Sequence, residues 1–347
     1  MDESAPLSEW RVPPGGRHGL GRISVMKNDQ SDLTDLVNIK RGDRMSDIDL
    51  VIVGSIGLDT IETKFDKRVD LLGGSVSYAC AASSFFTKTG MVGVVGCDFP
   101  SEYMDVYNRF DINLDGLVTE ENGKTFRWSG VYEDDMINRR TLSTELNVLE
   151  SFAPELPESY RDAPFILLGN ISPELQLHIL GEARAPKFVI ADTMDLWINI
   201  ARESLLEVIG KVNMLTLNDS EARLLTGEYN LKTCARKILD MGPDYVVIKK
   251  GEHGSMLVTN SGIFLVPAYP VDDVVDPTGA GDSFAGGFMG YLAKQGEITD
   301  RNVKEALLCG AVVASFGVEA FSLDSLSSLT IEQIEFRLAE LEHMIRI

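Results

Sequence analysis

Short apolar runs rich in β-branched residues alternate with longer segments of mixed polarity from residue 49 onwards. Six of these runs are predicted as strands, at 49–55, 91–96, 165–169, 187–192, 212–218 and 245–251. Runs that are apolar at almost every position are typical of parallel strands buried on both faces, and the long connections between them leave room for helices. The pattern therefore predicts the α/β class, with a mostly parallel central sheet and helices on both faces.

Two internal segments and the N-terminus depart from this pattern. Residues 61–72 and 124–143 alternate apolar with polar side chains, as half-exposed strands do, and we expect them to form a small β lid. Residues 1–46 are rich in Gly, Pro, Ser and charge without a sustained period, which predicts a disordered tail. The expected organisation is therefore a tail at 1–46 and one domain at 47–347 into which the lid is inserted.

Composition narrows the range of partners. The chain has 53 acidic and 32 basic residues, and a net charge of -21 argues against nucleic-acid binding and against attachment to an anionic membrane. No apolar stretch reaches the roughly 18 residues of a membrane span, and the N-terminus lacks the apolar segment of a signal peptide. The four cysteines form no CxxC motif and are interpreted as reduced core thiols. We expect a cytoplasmic protein that binds a small molecule.

The segment 274–293, VVDPTGAGDSFAGGFMGYLA, joins a turn of small residues to an amphipathic helix. The consecutive N–H groups of Gly279, Ala280, Gly281 and Asp282 are expected to point at an anion, with the positive end of the helix dipole behind them. Asp282, where the helix begins, is placed to accept a proton from an attacking hydroxyl. A Gly-rich turn with an N-capping aspartate is the alternative, and it would be preferred for a bare GxGD motif.

Thirteen consecutive positions, DPTGAGDSFAGGF at 276–288, resemble the C-terminal signature of the ribokinase-like (PfkB) kinases. The resemblance implies a ribokinase-like sandwich that transfers a phosphoryl group from ATP, with Mg²⁺, to a hydroxyl of a small carbohydrate-type substrate. It assigns the catalytic base to Asp282 and the anion hole to Gly279, Ala280 and Gly281. Thr278 would belong to the nucleotide site, and Asp276 matches a position associated with a monovalent cation, so a K⁺ requirement is a further hypothesis.

The N-terminal half resembles the same family in two places. In GSIGLD at 54–59, the resemblance implies that Asp59 holds substrate hydroxyls; a loop-capping aspartate is the alternative. In LGGSVSYACAASSFF from Leu72, it implies that Gly73 and Gly74 open a helix beneath the substrate, although an ordinary turn would also explain them. Tyr78 replaces an amide that would contact a furanose. Ribose itself is therefore not favoured, and the ring is expected to stack on a nucleobase or a sugar face.

Two further segments resemble the nucleotide site of the family. Asn218 to Glu221 matches an N-x-x-E element whose glutamate organises Mg²⁺ through water; a helix N-cap is the alternative. KKGEHGS at 249–255 resembles a loop that contacts phosphates through Gly251. Lys249 stands where many relatives have a small hydroxyl residue; we count it with the nucleotide site, and a surface lysine is the alternative.

Other readings of the chain are less well supported. Gly123-Lys124-Thr125 does not complete a P-loop because position 118 is valine, and the glycines after the first strand do not complete a dinucleotide fingerprint, which disfavours an oxidoreductase. Within the kinase class, the alternatives to a sugar are a nucleoside, adenosine-like, and an inositol. A non-catalytic ligand-binding protein is a rival from another class. A homodimer formed through an exposed lid strand is a further hypothesis.

Overall fold

The computed structural model describes residues 48–346, and the predicted tail at 1–46 lies outside them. Thirteen strands form two sheets. In chain order they are β1 Leu50–Val53, β2 Gly57–Glu62, β3 Lys67–Gly73, β4 Thr89–Gly96, β5 Asn113–Glu120, β6 Phe126–Tyr132, β7 Arg139–Glu145, β8 Phe165–Leu168, β9 Phe188–Asp192, β10 Met214–Asn218, β11 Tyr245–Lys249, β12 Ser255–Thr259 and β13 Ile263–Val266.

The main sheet has nine strands in the order β13-β12-β11-β10-β9-β8-β1-β4-β5. All neighbours are parallel except β12, which runs antiparallel to both β11 and β13. The six strands expected from the sequence are present, so the α/β class with a mostly parallel sheet is confirmed. Sequence patterns missed β5, which is half exposed, and the hairpin of β12 and β13.

A second sheet has the order β3-β2-β6-β7. Strands β2 and β6 are parallel, whereas β2–β3 and β6–β7 are antiparallel pairs. These strands overlap the alternating segments 61–72 and 124–143, but the sheet begins earlier, at Gly57, and ends later, at Glu145. Every residue of the edge strand β7 is exposed.

Eleven helices lie within the described residues. They are α1 Ser75–Ser84, α2 Ser101–Arg109, α3 Pro173–Glu182, α4 Asp195–Ile200, α5 Arg202–Ile209, α6 Asp219–Thr226, α7 Leu231–Leu239, α8 Ala280–Gln295, α9 Asp300–Gly317, α10 Asp324–Ser328 and α11 Ile331–Ile345. One apolar cluster joins the main sheet to α1, α8 and α9, and a second joins it to α3, α5, α6 and α7, so helices cover both faces. Over 48–346, no helix is long and apolar enough to cross a bilayer.

Small residues bring α1 and α8 close together. A methyl group added at Gly286 would overlap the backbone of Ala79, and one added at Gly290 would lie 2.8 Å from the Cα atom of Ser83. Helices whose backbones approach this closely are fixed in position by packing, because interiors are dense and leave no room for adjustment. As a result, the first turns of both helices are held at the same end of the main sheet.

The cysteines are free thiols, but only three of the four lie in the core. Cys80, Cys234 and Cys309 are buried, as expected, whereas Cys97 is exposed. The expectation of four core thiols was therefore wrong at Cys97, which directly follows the buried end of β4 at Gly96.

Candidate functional site

Polar side chains collect where the central parallel strands end. Asp192 ends β9, Asn218 ends β10 and Lys249 ends β11, and these strands are neighbours in the sheet. Ligands of open parallel sheets bind beyond the carboxyl ends of the strands. The strands therefore deliver these three side chains to the edge at which a ligand is expected.

The small-residue turn before α8 has a defined internal structure. Gly279 is the N-cap, with φ +74, a left-handed conformation that favours glycine. The buried carboxylate of Asp276 accepts the Thr278 N–H at 2.9 Å and the Ser322 N–H at 3.3 Å. The Ala280 N–H donates to the Pro277 carbonyl at 3.2 Å. Ala280 is therefore not one of the free donors expected from the sequence, because the turn closes on itself.

The first helical turn still supplies donors for an anion. The N–H groups of Gly281 and Asp282 lie too early in α8 to have a carbonyl partner four residues before them within the helix. The positive end of the helix dipole adds to their attraction for an anion. The Asp282 N–H also lies within hydrogen-bonding reach of its own carboxylate. The start of α8 therefore has fewer free N–H groups than expected, and the anion hole stays a prediction.

Tyr78 lies directly against this turn. Its side chain is 2% exposed, and a methyl group added at Gly279 would overlap the ring. Burial, with Asp276 and Asp59 nearby, raises the pKa of the hydroxyl well above its usual value. This hydroxyl has no hydrogen-bond partner among residues 48–346. Tyr78 therefore offers a buried hydroxyl, and the stacking ring expected from the sequence is instead packed against Gly279.

Asp59 is a second buried group with unused hydrogen-bonding capacity. It is 4% exposed on β2, and a side chain at Gly73 would overlap its carboxyl group. Burial, together with the charges of Asp276 and Asp282, raises its pKa to about 8. Its Oδ1 atom has no partner within the described part of the chain. A donor hydroxyl from a ligand would satisfy this atom and favour the ionised carboxylate.

Asp282 and Glu221 carry similarly perturbed carboxyl groups. Burial and the charge of Asp192 raise the pKa of Asp282 to about 7. Burial raises the pKa of Glu221 to about 7, against the opposing charge of Lys249. Such perturbed carboxyls in a cleft are typical of functional sites. A pKa near 7 suits Asp282 to accept a proton at neutral pH.

Glu221 also has a structural role. Its Oε2 atom accepts the Asn218 N–H at 2.7 Å, and the Asn218 Oδ1 atom accepts the Glu221 N–H at 2.8 Å. This reciprocal pair is a capping box, which fixes the start of α6. Between Ile48 and Arg346, no cluster of three or more His, Cys, Asp or Glu residues could by itself hold a metal ion.

Lys249 is mostly buried and is not a surface lysine. Its Nζ atom lies 3.2 Å from both carboxylate oxygens of Asp192, and the two side chains are 17% and 8% exposed. A methyl group added at Gly281 would lie 3.0 Å from this ammonium. Asp192 was not among the predicted site residues, although an acidic residue at the carboxyl end of a buried parallel strand is a signal for such a site.

The remaining expected residues lie around these groups. Gly74, with φ +93, is the N-cap of α1, and a side chain there would overlap the Ser55 carbonyl. Gly251, with φ +55, is exposed at the start of a single helical turn and has open space around it. It lies two residues after Lys249, and because it has no side chain a ligand could approach its backbone closely.

One face of the second sheet lies against the turn before α8. The Tyr132 hydroxyl lies 3.1 Å from the Thr278 hydroxyl, which joins β6 to this turn. Trp128 pairs in register with Asp59, and Phe126 packs over Gly57, so both rings share the face of the carboxylate.

Arg139 on β7 adds positive charge on the same side of the site. Its guanidinium lies over the Trp128 ring, 5.5 Å from the ring centroid. Its charge lowers the pKa values of Asp59 and Asp282, both of which burial raises. A cation from the second sheet therefore lies near both carboxyl groups.

Comparison with protein families gives one match that spans most of the chain. Residues 68–329 match the family model described as pfkB family carbohydrate kinase. A curated cytidine kinase of Thermococcus kodakarensis is 33% identical over 252 residues, which cover 70% of this chain and 88% of that protein.

Solved structures show the same fold. The crystal structure of the Methanocaldococcus jannaschii nucleoside kinase, an archaeal member of the ribokinase family, has a TM-score of 0.68 at 22% identity and covers 85% of this chain and 99% of that one. Aminoimidazole riboside kinase from Salmonella enterica, complexed with aminoimidazole riboside and an ATP analog, has a TM-score of 0.67 at 18% identity, with 83% and 99% covered.

Proposed function

Because this chain belongs to the PfkB family of carbohydrate kinases, we propose that it uses Asp282 to transfer the γ-phosphoryl group of ATP to a hydroxyl of a nucleoside. The family accounts for ATP-dependent phosphorylation of a small sugar-type substrate. The assignment of residues and the choice of a nucleoside go further. Both rest on the geometry of the site.

The observation that carries the proposal is the proximity of Asp59, Asp282 and the turn before α8. The charge of Asp282 is one of the causes that raise the pKa of Asp59, so the two carboxyls act within one site. Asp59 has an oxygen free to accept a hydroxyl, and Asp282 lies at the donor-rich start of α8. A group held by Asp59 therefore has a base and an anion hole beside it.

In the proposed reaction, the proton of the acceptor hydroxyl passes to the Asp282 carboxylate. The acceptor oxygen forms a bond to the γ-phosphorus, and the bond from this phosphorus to the oxygen of the β-phosphate breaks, which releases ADP. The N–H groups of Gly281 and Asp282 would stabilise the charge on the transferring group. Gly279 and Gly281 allow Tyr78 and Lys249 to pack directly against this turn, because a side chain at either position would meet one of them.

The nucleotide would extend from α8 towards Thr278, Asn218 and Gly251, which surround the same strand ends. When bound with ATP, Mg²⁺ would neutralise phosphate charge, and Glu221 would hold it through water, since its carboxylate already closes a capping box. The partly buried carboxyl of Glu221, with a raised pKa, fits a nearby cation because a positive charge would favour its ionised form.

A nucleoside fits the face of the second sheet that carries Asp59. Phe126 and Trp128 lie on this face and are partly exposed, so they form an aromatic wall beside the carboxylate that would bind the ribose hydroxyls. Aromatic rings stack on nucleobases without regard to their hydrogen-bonding edges. The cytidine kinase and the nucleoside kinase among the similar proteins act on ligands of this class, as their names state. Free sugars and inositols are the alternative acceptors.

The test is ADP release by purified protein with Mg-ATP and a panel of acceptors. The panel contains cytidine, uridine, adenosine, inosine, ribose, fructose and myo-inositol. We expect a nucleoside to give the highest kcat/KM, and Asp282→Asn to reduce its turnover at least about 1,000-fold while ATP affinity changes little. A free sugar or inositol as the best acceptor would overturn the nucleoside assignment, and near-normal turnover of Asp282→Asn would overturn the assigned base.

A K⁺ requirement is a separate hypothesis. Asp276 directs both carboxylate oxygens to backbone N–H groups, which accounts for its burial without an ion. No step of the reaction above is therefore assigned to a monovalent cation. Equal rates in sodium and potassium salts would dispose of the hypothesis.

A homodimer through the second sheet is proposed because β7 is an edge strand that is exposed along its whole length. Exposed edges pair readily with other strands. The exposed apolar side chains Ile137 and Leu142 would be covered by such pairing. A molar mass of one chain by light scattering at micromolar concentration would contradict it.

A further inference from the structure

The ammonium of Lys249 has surroundings that the fold alone does not require. It is held between Asp192, at 3.2 Å, and the first turn of α8, where Gly281 leaves the space that it fills. Lysine is a strongly hydrated point charge, and removing it from water is unfavourable unless something compensates. Two apolar side chains of similar volume would fill the same space without the free-energy cost of removing charges from water. The presence of the charge therefore needs an explanation.

Three carboxyl groups surround this one cation. Burial alone lowers the pKa of Lys249, but the charges of Asp192, Glu221 and Asp282 together raise it above its usual value. Lys249 therefore stays protonated, while the carboxyls around it exceed it in number. A triphosphate approaching the start of α8 would meet these carboxylates, and Lys249 is the ammonium that opposes their repulsion on this side of the site.

We infer that Lys249 contacts the phosphoryl group during its transfer and that Asp192, a positioning residue, holds the Lys249 ammonium against the first turn of α8. This inference rests on the proposed kinase mechanism and adds two roles to it. Lys249 would share the negative charge that develops as the bond to the β-phosphate breaks. Asp192 would touch neither substrate, and its effect on the transferred group would pass through Lys249.

Asp192 is itself held firmly enough to position another side chain. The buried Gln176 on α3 donates through Nε2 to the Asp192 carbonyl at 3.0 Å and to the Gly169 carbonyl at 2.9 Å. This side chain thereby ties the ends of β9 and β8 together. Both carboxylate oxygens of Asp192 then face the ammonium at the same distance, which limits the positions that Lys249 can adopt.

Lys249 belongs to the main sheet, whereas Arg139 belongs to the second sheet. Both cations influence the carboxyl of Asp282. Arg139 is exposed on an edge strand, whereas Lys249 is fixed by a buried partner. A preorganised charge needs little rearrangement during the reaction, so Lys249 is expected to contribute more to kcat than to nucleotide binding.

A double-mutant cycle tests the inference with Lys249→Met, Asp192→Asn and the variant that carries both. We expect Lys249→Met to lower kcat about 100-fold and to leave KM for the acceptor within about threefold. Asp192→Asn should lower kcat about tenfold. The cycle is measured at pH 9, where Asp282 is ionised whether or not Asp192 carries a charge, so the double variant should match Lys249→Met within about threefold. Independent effects would instead multiply to about 1,000-fold, and that result would overturn the positioning role.

Nucleotide affinity provides a readout that does not depend on turnover. In Lys249→Met, the Kd of a non-hydrolysable ATP analogue should rise about tenfold and that of ADP less than about threefold, because the contact is with the transferred group. An equal rise for both nucleotides would show that Lys249 binds elsewhere along the phosphates and would overturn the inference. Lys249→Met leaves the charge of Asp192 unpaired. If this variant does not fold, the double variant, which removes both charges, is measured instead.

The control is Glu182→Gln, which breaks a partly buried ion pair with Arg161, 3.6 Å away, outside the site; the Glu182 carboxylate also accepts the Leu156 N–H. Its kcat should stay within about twofold of the unmodified protein, and a larger loss would mean that loss of any partly buried ion pair impairs turnover. Failure of the inference is separable from failure of the kinase mechanism. An inactive Asp282→Asn beside a fully active Lys249→Met would refute only the role of Lys249, whereas an active Asp282→Asn would refute the mechanism itself.

Discussion

Asp59 lies in surroundings that disfavour its own charge. It is buried beside Asp276 and Asp282, and its pKa is raised to about 8. The folded protein therefore retains a proton that the unfolded chain releases near pH 4. An unligated site with this property is less stable at alkaline pH, because the ionised carboxylate then has no partner for Oδ1. Acceptor hydroxyls would supply that partner, so stability and function oppose each other at this residue.

Replacement of Asp59 by asparagine should therefore stabilise the fold while it abolishes the function. We expect Asp59→Asn to raise the free energy of unfolding at pH 8 by about 1 to 3 kcal/mol, since the amide is never ionised. Its kcat/KM should fall at least about 100-fold, because the amide holds the acceptor hydroxyls less strongly. Urea unfolding and steady-state kinetics on the same preparation measure both.

Asp98→Asn is the matched control for that prediction. Burial acts against ionisation of Asp98, but the N–H of Thr125 and the guanidinium of Arg127 donate to its carboxylate and lower its pKa overall. Its removal should therefore lower stability at pH 8, the opposite sign. If Asp59→Asn also proved less stable than the unmodified protein at pH 8, the raised pKa of Asp59 would be wrong.

Among the elements, α8 is where sequence and structure agree most closely. Its signature places Gly279 and Asp282 at the start of a helix, and the helix indeed begins at Ala280. Continuous apolar runs also identified the central strands, because strands buried on both faces are apolar at almost every position. The partly exposed β5 and β13 have less uniformly apolar sequences and were missed. The buried β12, which lies between β11 and β13, was missed as well.

Contacts between distant segments account for what the sequence did not reveal. Asp192 and Lys249 lie on β9 and β11, with β10 between them, and their pairing depends on the order of strands in the sheet. Tyr78 was expected to stack on a ligand, but the close packing of α1 on α8 places its ring against Gly279. Neither fact follows from local periodicity, because both depend on which elements become neighbours.

The start of α8 provides a prediction at this scale. Gly279→Ala would force a side chain into the ring of Tyr78 in addition to the strain of a left-handed backbone. We expect kcat/KM to fall about 100-fold or more, because the turn that holds Asp282 must move.

Gly227→Ala separates the two effects. Gly227 also has a left-handed backbone, with φ +71 at the end of α6, but nothing lies within 4 Å of an added methyl group. This control should lose about 1 kcal/mol of stability and keep its activity. Equal losses of activity in the two alanine variants would show that backbone strain, and not the contact with Tyr78, is responsible.

The whole molecule gathers acidic groups from distant parts of the chain into one site. Asp59 and Asp192 come from the two sheets, Glu221 and Asp282 from the first turns of two helices, and Asp276 from the turn before α8. All five have raised pKa values. The chain as a whole carries a net charge of -21. Local and global charge therefore act in the same direction, and both disfavour the folded, unligated protein as the pH rises.

Stability of the unligated protein should accordingly fall between pH 6 and pH 8. In this range the folded state binds more protons than the unfolded chain, because Asp59 titrates at about 8 and Glu221 and Asp282 at about 7, whereas unfolded carboxyls titrate near 4. We expect a loss of about 3 to 5 kcal/mol, the sum over the three groups, measured by urea unfolding in 0.5 M salt, which screens the surface charge. Asp59→Asn should flatten this slope because it removes the group with the highest pKa, whereas Asp98→Asn should leave it unchanged. Stability that rises from pH 6 to pH 8 would mean that the site carboxyls are ionised at neutral pH, and Asp282 would then act as a base without first losing a proton.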